Sequence, residues 1–155
     1  MFGFLKKSKL KIFSPARGIL KSITEVEDEA FRSKALGDGF AIEPRDGEVY
    51  SPIDGVVEMI FPTLHALGIK SNDNAEILIH IGTETVELNG QGFEAFVKEG
   101  QKVKAGDLLI KFDIDEVKEK VPSTDVMVVF TNGETCELLK AGEMVNTTDE
   151  IATIK

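Results

Sequence analysis

Two histidines, His65 and His80, are the only ones in the chain, and both stand in apolar surroundings. The run Glu76-Ile-Leu-Ile-His-Ile81 reads as a strand. Alternation puts Ile77, Ile79 and Ile81 on one side and His80 with Leu78 and Glu76 on the other. The preceding run His65-Ala-Leu-Gly-Ile-Lys70 reads as a second strand, with Ser71-Asn-Asp-Asn74 as the turn between them, because Asn and Asp tolerate the left-handed backbone of tight turns. With Asn72 and Asp73 central, His65 lies directly opposite His80. With Asp73 and Asn74 central, the two are diagonal on one face. These arrangements put Cβ atoms about 5 Å or about 7 Å apart. A loop of odd length would separate the rings.

Three chemistries suit such a pair. In the first, one imidazole nitrogen attacks phosphorus while the other ring stabilises the transferring oxygens. In the second, the pair binds zinc, and a carboxylate must complete the ligand set because no further histidine exists. In the third, both rings are simply packed and hydrogen-bonded.

The elements that must position them are short. Expected strands are Phe40–Glu43, Leu67–Lys70, Glu76–Ile81, Leu108–Asp113 and Val126–Thr131, all rich in Ile, Val and Phe. Helical turns are expected at Glu27–Lys34 and Asp115–Lys120, where acidic residues lead and lysines follow. Two segments match each other, Ser14-Pro-Ala-Arg-Gly-Ile-Leu-Lys-Ser-Ile23 and Ser51-Pro-Ile-Asp-Gly-Val-Val-Glu-Met-Ile60. A second pair is Val97-Lys-Glu-Gly-Gln-Lys-Val103 and Leu139-Lys-Ala-Gly-Glu-Met-Val145. Together they read as an internal duplication. The expected fold is all-β, an antiparallel sandwich or barrel with a few short helical turns.

Composition narrows the function classes. With 155 residues the chain has the length of one ordinary domain. We divide it into a basic, apolar N-terminal arm of residues 1–12 and a single domain of residues 13–155. Up to Thr24 there are six basic residues and no acidic one, which leaves 12 of the 18 basic residues against all 27 acidic ones. An acidic body repels nucleic acid and steers basic partners toward itself. The arm either frays in solvent or contacts anionic membrane. One cysteine, Cys136, allows no internal disulfide and fits a cytoplasmic location.

Gly37-Asp-Gly-Phe-Ala-Ile-Glu-Pro44, Ser51-Pro-Ile-Asp-Gly55, Ile60-Phe-Pro-Thr-Leu-His-Ala-Leu-Gly-Ile-Lys-Ser71 and Ile77-Leu-Ile-His-Ile-Gly-Thr-Glu-Thr-Val-Glu-Leu-Asn-Gly90 carry a resemblance. So does Gly92-Phe-Glu-Ala-Phe-Val-Lys-Glu-Gly-Gln-Lys-Val103. The chain resembles the glucose-family enzyme IIA of the bacterial phosphoenolpyruvate-dependent sugar phosphotransferase system, over nearly all of Phe13 to Lys155.

The resemblance implies a β-sandwich with a duplicated hybrid motif and a phosphoryl carrier without a cofactor, expected as a monomer. By resemblance His80 is the acceptor through Nε2. It takes the group from the carrier HPr and gives it to a cysteine of the permease's IIB domain. His65 resembles the accessory histidine, Thr63 the hydroxyl that orients it, and Gly82 the carbonyl that holds His80 Nδ1. Asp38, Glu84, Phe40, Phe61 and Leu78 correspond to the rim that receives partners. Glu84 stands where the family has Asp, and Val26-Glu-Asp-Glu-Ala30 lacks the family's proline, which predicts a looser or partly helical loop. An alternative within the resemblance is a regulatory module that binds target proteins under control of phosphorylation, with zinc bridging His65 and His80.

Overall fold

The computed structural model describes residues 10–154. Residues 1–9 of the expected arm lie outside the described residues. The arm's last part does not match the sequence expectation, since Lys11 and Ile12 already belong to a strand and Ile12 is buried.

The chain folds into short strands. The first are β1 (Lys11–Phe13), β2 (Gly18–Ser22), β3 (Gly39–Pro44), β4 (Glu48–Tyr50) and β5 (Gly55–Ile60). Then come β6 (Ala66–Ser71), β7 (Glu76–Thr83), β8 (Phe93–Ala95), β9 (Lys102–Val103) and β10 (Leu108–Phe112). The last are β11 (Ser123–Phe130), β12 (Cys136–Leu138), β13 (Met144–Val145) and β14 (Glu150–Ile154). Of two short helices, α1 (Glu29–Arg32) lies inside the expected helical turn Glu27–Lys34, and α2 (Ile114–Lys118) overlaps the expected turn Asp115–Lys120 but starts one residue earlier. Asp28 and Asp113 cap their first turns, a role that suits Asp because its oxygen accepts from an otherwise unpaired N–H.

All pairings are antiparallel. Eight strands form the main sheet in the order β13-β2-β3-β11-β7-β6-β5-β9, and two three-stranded sheets, β1-β14-β12 and β4-β10-β8, complete the sandwich. One face of the main sheet buries Phe40, Ile42, Ile69, Ile77, Ile79, Ile81, Val126 and Val128 against residues of the small sheets, such as Ile12, Val49, Leu109 and Ile151. The other face carries Ala41, Leu78, Met127 and Val129, which pack under Ile23, Val26 and Phe31 from the β2–β3 connection. His80 belongs to this second face, since β7 alternates buried isoleucines with half-buried Glu76, Leu78 and His80.

The duplication is visible in the hydrogen bonds. Ser14 Oγ donates to the Ala16 carbonyl at 2.5 Å, and Ser51 Oγ donates to the Ile53 carbonyl at 2.6 Å. Gly18 pairs with Val145 as Gly55 pairs with Val103. Gly142 N–H donates to Leu20 as Gly100 N–H donates to Val57, each at 2.7 Å. The repeated phrase thus encodes a repeated turn and edge strand.

The β6–β7 hairpin departs from the expected register. Ala66, not His65, pairs with His80. Ser71 N–H donates to the Ala75 carbonyl, which leaves Asn72, Asp73 and Asn74 as a three-residue loop. Asn74 takes a positive φ of 66°, the left-handed residue that closes a loop of this length. The loop is odd, and a regular continuation of the strand would have sent His65 to the opposite face.

Candidate functional site

The histidines meet nevertheless, because His65 is not part of the regular strand. It stands one residue before β6, in a bend that follows Leu64, whose φ is 61°. That left-handed residue breaks the alternation, while the His65 carbonyl still accepts from Ile81 N–H at 2.7 Å. The ring centroids of His65 and His80 lie 4.9 Å apart, nearly perpendicular at 81°. The rings are therefore paired through a backbone break and not through strand parity.

The two rings are held differently at Nδ1. His65 is 3% exposed, and its Nδ1 is 2.6 Å from Thr63 Oγ1. The Thr63 bond occupies Nδ1 and leaves Nε2 of His65 for another partner. The edge of the Phe61 ring packs on His65 with centroids 5.4 Å apart. In His80 the buried nitrogen is Nδ1, which has no partner at hydrogen-bond geometry. The Gly82 backbone nonetheless favours the protonated form of the ring. The half-buried ring thus keeps its Nδ1 edge inside and leaves Nε2 for the outer side.

Burial pushes the His80 pKa down to about 4, with help from the neighbouring His65, while Gly82 and Asp28 pull the other way. Burial also lowers the pKa of His65. Both rings are accordingly neutral near pH 7, the state in which an imidazole nitrogen has a free lone pair.

Gly82 is required by the backbone. Its φ is 73°, and a Cβ there would stand 2.7 Å from Thr85 Cγ2 and 2.9 Å from the Ser123 carbonyl. The turn continues through Glu84, also left-handed at φ 63°, into the 3₁₀ turn Thr85–Leu88. Thr85 Oγ1 ties this turn back to the Ile81 carbonyl at 2.5 Å.

The expected rim is only partly assembled. Phe61 touches His65, Leu78 shares the His80 face, and Glu84 is exposed beside the motif glycine. Phe40 is a correction: it is 0% exposed and packs in the main core, on the face opposite His80, so it cannot form a docking surface. Asp38 is held internally, accepting from Cys136 N–H at 2.9 Å and pairing with Lys34 at 3.3 Å. Burial alone would raise its pKa, but the Cys136 N–H and Lys34 hold it below the usual range.

Sequence reasoning missed Phe31. Its ring lies 5.0 Å from that of His80, tilted at 54°, and it is 3% exposed. A lone bulky apolar residue among charged neighbours in Val26-Glu-Asp-Glu-Ala-Phe-Arg32 was the available signal. That segment is partly helical, as the missing proline predicted. Among the described residues no three His, Cys, Asp or Glu side chains form a group able to hold a metal ion. Zinc on His65 and His80 would need its remaining ligand from elsewhere. No helix among the described residues is long and apolar enough to cross a membrane.

Comparison with known proteins agrees with this geometry. Residues 10–136 match the model of the phosphoenolpyruvate-dependent sugar phosphotransferase system EIIA 1 family. A glucose-specific EIIA component from Halalkalibacterium halodurans is 50% identical over 140 residues, covering 85% of this chain and 81% of that one. An EIICBA component from Staphylococcus carnosus, also described as glucose-specific, is 46% identical over 93% of this chain and 22% of its own length. The solved structure of glucose permease IIA from Mycoplasma capricolum superposes with a TM-score of 0.89 at 42% identity, over 99% of both chains.

Proposed function

The chain belongs to the EIIA 1 family of the phosphoenolpyruvate-dependent sugar phosphotransferase system, and from that premise we propose that it is the glucose-type phosphoryl carrier, with His80 as the residue that bears the group. The observation that carries this reading is the pair of neutral rings 4.9 Å apart, with Nδ1 of His80 buried and Nδ1 of His65 engaged by Thr63. An imidazole held with Nδ1 inside presents Nε2 as the nucleophile. Phosphoryl transfer needs little covalent help from the protein beyond positioning and charge stabilisation.

The steps follow from the donors present. The lone pair of His80 Nε2 attacks phosphorus in line with the nitrogen of the phosphorylated donor histidine on HPr. Thr63 Oγ1 lies 2.6 Å from His65 Nδ1, and a hydroxyl that donates there selects the tautomer in which His65 Nε2 carries a proton for the transferring oxygens. The group then passes to a cysteine of the IIB domain of the permease. The Staphylococcus carnosus relative, named as an EIICBA component, supports a IIB partner. Glucose is the sugar named for the relatives. Exposed Glu84 and the net charge of −9 suit a basic donor. The single domain and a cytoplasmic location belong to the same reading.

The test is to incubate the protein with phosphoenolpyruvate, the system's first enzyme and HPr, and to follow an acid-labile gain of one phosphoryl group by mass. Wild type should take the label, His80→Gln should not, and His65→Gln should take it but fail to pass it on. An unlabelled wild type beside an active HPr control, or full labelling of His80→Gln, would overturn the assignment.

A further inference from the structure

One rung of the ladder beside the histidines is half built. Ala66 pairs with His80 and Leu67 with Ile79, so the next rung joins His65 to Ile81. A regular antiparallel rung of this kind exchanges two bonds, one in each direction. Ile81 N–H does donate to the His65 carbonyl, at 2.7 Å. The Ile81 carbonyl instead accepts from Thr85 Oγ1 at 2.5 Å. Among the described residues no bond from His65 N–H to that carbonyl is formed. The hydroxyl stands where the strand would have supplied an N–H. Thr85 and Ile81 are both 0% exposed, so this bond is made away from solvent. The other branch of the side chain, Thr85 Cγ2, fills the space beside Gly82, 2.7 Å from where a Cβ would stand.

We propose that Thr85 is a positioning residue for phosphoryl transfer: by satisfying the Ile81 carbonyl, it lets His65 leave the strand and turn its ring toward His80. This rests on the assignment of His80 as the carrier. A buried carbonyl needs a partner, and the alternative donor on this rung is His65 N–H. If His65 supplied the bond, the rung would be regular, and alternation would send its ring to the opposite face of the sheet. With Thr85 supplying it, His65 stays in the bend after left-handed Leu64, and the two rings stand 4.9 Å apart. The two threonines therefore divide the work. Thr63 holds the His65 ring at Nδ1, whereas Thr85 decides which face that ring occupies. Thr85 gives and takes no proton. On donation the N–P bond at His80 Nε2 breaks as an S–P bond forms on the acceptor thiolate, and Thr85 acts only through the placing of His65.

The test compares wild type with Thr85→Val, which keeps the shape and removes the hydroxyl, and Thr85→Ser, which keeps the hydroxyl. Two properties are read: onward transfer of the label to the IIB domain, and NMR of the His65 amide and of proton contacts between the rings. Thr85→Val should still take the label from HPr but pass it on about tenfold more slowly. Its His65 amide should exchange more slowly with solvent, and the contacts between the rings should be lost. Thr85→Ser should behave as wild type in both respects. If Thr85→Val does not fold, Thr85→Ala lacks the same hydroxyl and carries the same expectations. A merely structural Thr85 would lower stability and leave the rings in contact. Wild-type onward transfer without the hydroxyl, an unchanged His65 amide there, or equal slowing in Thr85→Ser would overturn the proposal while leaving His80 the carrier. An unlabelled wild type would overturn both.

Discussion

The main sheet contains two copies of one design, and only one of them carries the histidines. The registers align them residue by residue. Gly18 pairs with Pro44 in one copy and Gly55 pairs with Ser71 in the other. Ile42 then pairs with Val126 where Ile69 pairs with Ile77. Following these ladders, Val129 occupies the place of His80, and Asp38 the place of His65. The two copies meet at the β11–β7 pair, where Val128 faces Ile79. Backbone hydrogen bonding is shared, yet one copy offers two imidazoles and the other offers a valine and a carboxylate tied to Lys34 and Cys136 N–H.

The connections explain why the copies are not redundant. Between β5 and β6 the chain needs only residues 61–65, which hold Phe61, Thr63 and His65. Between β2 and β3 it runs through residues 23–38, long enough to form α1 and to lie across the sheet. Phe31 of this longer connection reaches His80 in the other copy. The site is composite: one copy supplies the rings, and the other supplies the cover that dries them. The duplicated ladder gives a rigid frame, while loop length and a few side chains assign the chemistry.

The largest effect should come where the copies agree. A Cβ on Gly18 would stand 1.9 Å from the Glu43 carbonyl oxygen, and one on Gly55 would stand 2.3 Å from that of Lys70. Neither backbone can yield without breaking its strand pair. Gly18→Ala and Gly55→Ala should each cost more than about 2 kcal/mol in denaturant unfolding. If one were tolerated and the other were not, the structural equivalence of the two copies would fail.

Much of this frame was legible because its signals are local. β-branched runs ended by glycine marked the strands, and Ser-Pro-x-x-Gly marked the repeated turns. The histidine pair was legible as a pair, but strand parity was the wrong route to it. Asn74 adopts a left-handed conformation that makes the loop odd, and Leu64 adopts another that turns His65 back. Single positive-φ residues of this kind leave no periodic trace in a sequence. Phe40 misled for a related reason, since a phenylalanine beside the Asp38-Gly39 motif is as compatible with core as with rim. Phe31 was hidden because its contact with His80 joins segments far apart in the chain.

The next effect separates His80 from its valine counterpart. Its folded pKa of about 4 lies below the ordinary ~6.5 of an unfolded histidine. Between these values the unfolded chain binds the proton and the folded chain does not, so the contribution is intact above pH 6.5 and is lost as pH falls toward 4. The loss is at most about 3 kcal/mol, and less to the extent that water reaches the ring. His80→Val, which copies Val129, should flatten stability against pH across this window. Nitrogen NMR of the wild type should show His80 still neutral at pH 5. Titration of His80 near 6.5 would break the claim that the cover from the other copy dries the ring.

The smallest effect sharpens the contrast between His65 and Asp38. Thr63→Val removes the 2.6 Å contact to His65 Nδ1. It should cost about 1 kcal/mol of stability, and the freed ring should sample both tautomers. Onward transfer should then slow by about tenfold, as expected when a positioned donor is no longer held. Asp38→Asn keeps an acceptor for Cys136 N–H and gives up only the pair with half-exposed Lys34. That change should cost less than about 1 kcal/mol and leave the nitrogen shifts of His65 where they were. Matching changes in the His65 spectrum for the two variants would mean that Asp38 reaches the rings after all. A shift confined to Thr63→Val would confine the chemistry to the copy that carries the histidines.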